Sequence, residues 1–201
     1  MLLWINGPFG GGKTQTAHEL HRRLPGSVVC DPEHAGFGLH RMLPPALRGD
    51  FQDLPVWRQA VYEVLDLTLN RHTAGPVIVP MTIVNSTYFA ETVGRLRDDG
   101  HDVRHFALLA RRETVLRRLR ERGLGASLRR ETFAVSKLDE CLERLRADEF
   151  GEHIWTDAIT IPRVADTIAT SAGLRLTPNT DGPVKGRLRR AWTGVKHIRF
   201  D

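Results

Sequence analysis

Cysteine is scarce in this chain. Cys30 and Cys141 are the only two among 201 residues, and their positions form no disulfide framework. Both are expected to be thiols in or near a core, in a reducing compartment. No apolar run approaches the roughly 20 residues that span a bilayer. The short hydrophobic stretch at the start has no basic region before it and no small-residue cleavage site after it. It is therefore expected to be a strand rather than a secretion signal, and the protein to stay in the cytoplasm. In that compartment the glycosylation pattern Asn85-Ser86-Thr87 has no consequence. Internal repeats and low-complexity segments are also missing. The body of the chain lacks excess charge as well: the net charge is +5, and Pro183 to Asp201 alone holds six basic residues (Lys185, Arg187, Arg189, Arg190, Lys196, Arg199) against Asp201. The remainder is formally neutral, so the basic pI describes a tail and not a nucleic-acid-binding domain.

What is present is a globular composition, with 41% apolar and 26% charged residues, in a length suited to one domain with a real core. Its organising stretch is Leu2 to Leu24. Leu2, Leu3, Trp4 and Ile5 form an apolar run, Gly7-Pro8-Phe9-Gly10-Gly11-Gly12-Lys13-Thr14 follows, and Ala17, Leu20 and Leu24 then recur on one helical face. The pattern G-x-x-x-x-G-K-[ST] between a strand and a helix is a phosphate loop. Its backbone N–H groups curl around a β-phosphate, the lysine reaches the β and γ oxygens, and the hydroxyl binds Mg²⁺. The dipole of the following helix favours the same anion. Gly7, Phe9, Gly10, Gly11, Gly12, Lys13, Thr14 and Gln15 are the candidate ATP-binding residues, with Thr14 the candidate Mg²⁺ ligand.

Further strands are expected at Ser27–Cys30, Val77–Val84, Val103–Ala110 and Ala158–Ile161, each separated from the next by helical pattern. The resulting fold is α/β: a P-loop NTPase-type, three-layer arrangement with a five-stranded parallel sheet. Residues 1–176 would form the domain, and 177–201 a linker and basic amphipathic tail in which Leu188, Trp192, Val195 and Ile198 share a helical face, suited equally to anionic lipid or to docking on the protein's own body. Ligands of open parallel sheets bind beyond the carboxyl ends of the strands, which is where Asp31 and Glu33 fall. Pro32 is expected to keep the chain from turning straight into a helix there. Alternatively, Asp31 caps a helix beginning around Phe37. The mixed aromatic and polar segment Phe51 to Arg58 suits a substrate pocket, with Phe51 and Trp57 readable equally as core. Candidate substrate contacts are Asp31, Glu33, Phe37, Phe51, Trp57, Arg58 and Thr82. Thr82 stands out because the third strand ends in Pro80-Met81-Thr82, where many P-loop proteins place an acid to hold Mg²⁺ through water. Finally, Arg118 and Arg122 lie one turn apart on a helix that runs into Gly123, Gly125, Arg129 and Arg130. Such a segment suits a closing lid whose guanidinium groups stabilise a transferring phosphoryl group, although a solvated arginine face would look the same.

These parts resemble P-loop nucleoside and small-molecule kinases, and more closely the ATP-binding tunicamycin-resistance proteins. The likeness rests on Trp4-Ile5-Asn6-Gly7, Phe9-Gly10, Gly12-Lys13-Thr14-Gln15-Thr16-Ala17, Asp31-Pro32-Glu33, Val79-Pro80-Met81-Thr82-Ile83-Val84, Gly94-Arg95-Leu96-Arg97 and His197-Ile198-Arg199. The resemblance implies ATP binding, resistance to a lipid-tailed uridine antibiotic, and a C-terminal segment that touches the membrane. It also implies, from phosphotransferases that inactivate antibiotics, a general-base role for Asp31. Lys13, Asp31, Arg118 and Arg122 are thus the candidate catalytic residues. Three functions fit: phosphoryl transfer to the antibiotic, its ATP-dependent sequestration without chemistry, and a housekeeping metabolite kinase.

Overall fold

The computed structural model describes residues 1–122 and 135–179, and for Arg122 only the backbone. Five strands, β1 (Leu2–Asn6), β2 (Val28–Val29), β3 (Val77–Pro80), β4 (Val103–Leu109) and β5 (His153–Trp155), form one parallel sheet in the order β2-β3-β1-β4-β5. The register aligns Leu3 with Ile78 on one side and with Arg104 on the other. Every β1 side chain is buried, as a central parallel strand requires. Because successive side chains point to opposite faces, Leu2 and Trp4 enter one core while Leu3 and Ile5 enter the other.

The Leu3 and Ile5 face is covered by α1 (Lys13–Arg23) and α8 (Ile161–Ser171), through Ala17, Leu20, Val164, Ala165 and Ile168. The opposite face is covered by α3 (Pro55–Arg71), by α4 (Ser86–Phe89) continuing through a π-helical turn (Ala90–Gly94) into α5 (Arg95–Asp98), and by α7 (Leu138–Arg144). Trp57, Val61, Leu65, Phe89, Val93, Leu96 and Cys141 supply that layer. Each such fully buried aliphatic side chain contributes ~1.5–3 kcal/mol of hydrophobic stabilisation. A smaller cluster joins α6 (Arg112–Arg122) to α7 through Val115, Leu119, Leu138 and Leu142. The three-layer α/β fold with a five-stranded parallel sheet is therefore the one expected from the sequence.

Local boundaries differ in three places. Helix α2 spans Glu33–Met42 and starts directly behind Pro32, whose φ of −64° is already helical. Proline suits a helix start because its fixed φ is helical and its missing N–H has no helical partner there, so it admits the helix that the sequence reading delayed to Phe37. The last strand lies at His153–Trp155, ahead of the expected Ala158–Ile161, and Ile161 instead opens α8. Strand β3 stops at Pro80, while Met81, Thr82 and Ile83 stay buried as irregular chain. Cys30 is half-buried and Cys141 buried, the thiol of Cys141 pushed up to about 11 by its burial. Among the described residues no helix is long and apolar enough to cross a membrane. Gly123, Gly125, Arg129 and Arg130 of the expected lid, and the tail from residue 180, lie outside the described residues.

Candidate functional site

The loop between β1 and α1 turns on three glycines with positive φ: Gly7 (+151°), Gly10 (+78°) and Gly12 (+95°). At Gly7 a Cβ would stand 3.0 Å from the Leu108 carbonyl, and at Gly10 it would stand 3.0 Å from the Leu119 side chain. The loop is thus threaded between β4 and α6, with no room for side chains where it bends. Gly12 is the N-cap of α1 and no side chain among the described residues caps the helix there; its first turn also carries no acid. The early N–H groups of α1 keep their attraction for an anion. His21, Arg22 and Arg23 complete the complementary arrangement at its other end.

Lys13 is buried, with its Nζ donating to the Gly7 carbonyl at 3.0 Å and the Pro8 carbonyl at 3.1 Å. The ammonium is thus stored on the loop it would serve, 5.5 Å from the centroid of the Phe9 ring. Thr14 and Gln15 are half-buried in the first turn of α1. Asp31 and Glu33 sit past the end of β2, two strands from β1, or about 10 Å at ordinary strand spacing. Asp31 Oδ1 accepts the Glu33 N–H at 3.0 Å, so this carboxylate caps α2.

Several expected substrate contacts have partners within the protein. Trp57 is wholly buried, and its indole N–H donates to the Pro32 carbonyl at 3.1 Å, fixing the start of α2 to α3. Arg58 is buried too: it pairs with Glu91, donates to the Gln52 carbonyl and lies 4.2 Å above the Tyr88 ring. Two of its donors are thus engaged inside the protein, and the side chain also lines a surface cavity with Gln59, Glu91 and Arg95. Phe51 is half-buried between Phe37, His40 and Trp57, at ring separations of 5.8, 5.5 and 5.3 Å, and rests on Gly36. Of Phe37, Phe51 and Trp57, the first two thus retain some surface.

Arg118 is held at the far end of the sheet's last strand. Its guanidinium donates to the Thr156 hydroxyl at 3.0 Å and to the Thr156 carbonyl at 2.7 Å, tying α6 to the end of β5. Burial lowers its pKa from the ordinary arginine value, with the Asp157 charge opposing that shift. The Arg122 side chain lies outside what is described.

Thr82 is buried and its hydroxyl donates to the Gly7 carbonyl at 2.7 Å, so it faces the loop. Beside it lies a pair of residues to which the sequence reading gave no site role. Asn6 is fully buried; its Oδ1 accepts from Gly7 N–H (2.8 Å) and Ile83 N–H (3.1 Å), and its Nδ2 donates to the Ile83 carbonyl at 2.7 Å. The second Nδ2 contact is His105 Nε2 at 3.1 Å. A polar Asn closing an apolar strand, and a His inside the apolar run of β4, were the available signals.

Over residues 2–147 the chain matches the AAA domain family model. It shares 37% identity with the tunicamycin resistance protein of Deinococcus radiodurans, whose structure superposes with a TM-score of 0.73 over 88% of this chain and 98% of that one. The chain belongs to the tunicamycin-resistance protein family. Its fold extends more widely among P-loop kinases. A sugar kinase from Janibacter sp. HTCC2649 matches at 18% identity and a TM-score of 0.61, over 86% of this chain and 94% of that one. Shikimate kinase from Acinetobacter baumannii matches at 20% identity and a TM-score of 0.52, over 85% and 92%. No curated protein sequence matches the chain. In this member of the tunicamycin-resistance family, the phosphate loop, Asp31 and the Phe37–Phe51 surface all belong to the carboxyl edge of the sheet, where parallel α/β proteins bind ligands.

Proposed function

We propose that this protein is an ATP-dependent resistance factor that transfers the γ-phosphoryl group of ATP to a hydroxyl of a tunicamycin-like uridine nucleoside antibiotic. The observation that carries this reading is the stored Lys13 ammonium within a glycine-turned loop at the uncapped start of α1. Phosphate oxygens would offer Lys13 a stronger, charge-assisted partner than the carbonyls of Gly7 and Pro8. The donor set also fits Mg²⁺, a hard cation taking oxygen ligands. Thr14 would hold it by its hydroxyl, together with phosphate oxygens, and the ion would supply charge neutralisation at the β and γ groups. Among the described residues no cluster of three or more His, Cys, Asp or Glu forms an alternative metal site.

In the reaction the acceptor oxygen bonds to the γ-phosphorus, the bond to the β–γ bridging oxygen breaks, and ADP leaves. The acceptor proton passes to Asp31. Lys13 and the α1 N–H groups offset the developing charge together with the lid arginines Arg118 and Arg122, and Phe37 and Phe51 offer faces for the uracil or sugar. Replacing Asp31 with Asn keeps the cap on α2, since Asn caps as well as Asp, but removes the proton acceptor. We expect Asp31→Asn to bind ATP normally and to lose about 10²–10⁴-fold in turnover. Equal turnover by the variant would remove Asp31 from the mechanism.

One observation favours the second reading, sequestration without chemistry: the position that would carry a metal-holding acid is Thr82, and its hydroxyl is engaged by Gly7. Localisation is proposed to be cytoplasmic, with residues 184–201 resting on anionic lipid as a basic amphipathic helix.

A further inference from the structure

Gly7 is the hinge on which β1 becomes the phosphate loop, and both of its peptide groups are held from outside the loop. Its N–H is held by Asn6 Oδ1 at 2.8 Å, and its carbonyl accepts from both Thr82 Oγ1 at 2.7 Å and Lys13 Nζ at 3.0 Å. The same Asn6 side chain also binds the N–H and the carbonyl of Ile83, next to Thr82. The loop hinge and the irregular chain after β3 are thereby stitched together by neutral hydrogen bonds.

The orientation of Asn6 follows from its partners. Turning the amide over would set its NH₂ against two N–H donors and its oxygen against the Ile83 carbonyl. With Nδ2 as donor, His105 Nε2 must accept, so His105 is neutral with its proton on Nδ1. Phe89 and Phe150 flank that ring at centroid distances of 4.9 and 6.2 Å, keeping it in place. All four hydrogen-bonding positions of the Asn6 amide are thus filled in a fully buried setting.

We propose that Thr82 and Asn6 are positioning residues that hold the Gly7 hinge in its nucleotide-binding geometry, Thr82 keeping the Gly7 carbonyl paired when Lys13 moves to the phosphates. This rests on the reading of the loop as an ATP site. Before nucleotide binds, the Gly7 carbonyl has two donors. Once Lys13 turns to the phosphates it has one, so the Thr82 hydroxyl matters more in the bound state than in the free one. A hydrogen bond whose loss strands a buried acceptor is felt strongly. Because the cost falls on the bound state, the defect appears in affinity rather than in folding.

The test uses Thr82→Val, which keeps the branched shape without the hydroxyl, and Thr82→Ser, which restores it. Both are titrated calorimetrically with ATP and Mg²⁺ well below their melting temperatures, and their thermal unfolding is recorded without nucleotide. We expect Thr82→Val to bind ATP about five- to tenfold more weakly while melting close to the parent, and Thr82→Ser to bind like the parent. Unchanged ATP affinity in Thr82→Val, or equal weakening in both variants, overturns the positioning role while leaving the ATP site intact. A parent protein that fails to bind ATP overturns the reading of the loop and the clasp with it.

Discussion

Lys13 illustrates how one side chain is suited to two states. In the nucleotide-free protein its charge is stabilised by the Gly7 and Pro8 carbonyls, partners good enough to bury it yet weaker than phosphate oxygens. Lys13→Ala removes the charge from the site without touching the sheet core. We expect ATP affinity to fall at least about tenfold, in line with the loss of a charged hydrogen bond, and far-ultraviolet circular dichroism to stay as in the parent. Nucleotide titration that finds equal affinity would sever Lys13 from the site. At the same scale, the internal partners of Trp57 and Arg58 were not legible in the sequence: Trp57 joins α3 to the start of α2, and Arg58 pairs with Glu91, because both contacts are made between segments distant in the chain.

Elements were legible in proportion to how far their signals were local. The apolar run of β1, the glycine spacing of the loop and the periodicity of α1 and α3 depend on neighbours in sequence, and the structure follows them. The start of α2 did not follow because Pro32 can either block or open a helix, and packing by Trp57 decides which. The clasp of Asn6 on Ile83 and His105 joins segments far apart in the chain, so nothing in local spacing announces it. The clasp carries a pH signature of its own. Burial, with the charge of Arg97 adding to it, brings the pKa of His105 down from the ordinary 6.5 to about 3. Between these values the unfolded chain binds the extra proton, so stability must fall as pH drops from 6.5 toward 3. The slope from this residue is at most about 1.4 kcal/mol per pH unit. Urea unfolding should therefore show a shallower acid loss in His105→Gln, whose side-chain oxygen can still accept from Asn6; an identical slope would mean that His105 does not govern it.

Across the whole molecule, the phosphate-loop helix connects the two ends of the described chain. Its first turn faces the loop, while at its last turn Arg23 and Thr177 exchange backbone and side-chain hydrogen bonds of 2.9 Å and Arg23 also pairs with Asp166. The segment Thr177 to Asn179 thus lies beside the last turn of that helix. If the tail rests on lipid, sedimentation with anionic vesicles should weaken with salt and disappear on deletion of residues 184–201; equal sedimentation by the deleted protein would end that role. The glycine-turned loop with its stored Lys13 supports the proposed phosphoryl transfer, while neutral Thr82 favours binding alone. Mass spectrometry of tunicamycin after incubation with the protein, Mg²⁺ and ATP separates the two most directly. The account predicts antibiotic heavier by one phosphoryl group, formed with ADP in equal amount. Antibiotic recovered unmodified, from protein that binds both it and ATP, would contradict it.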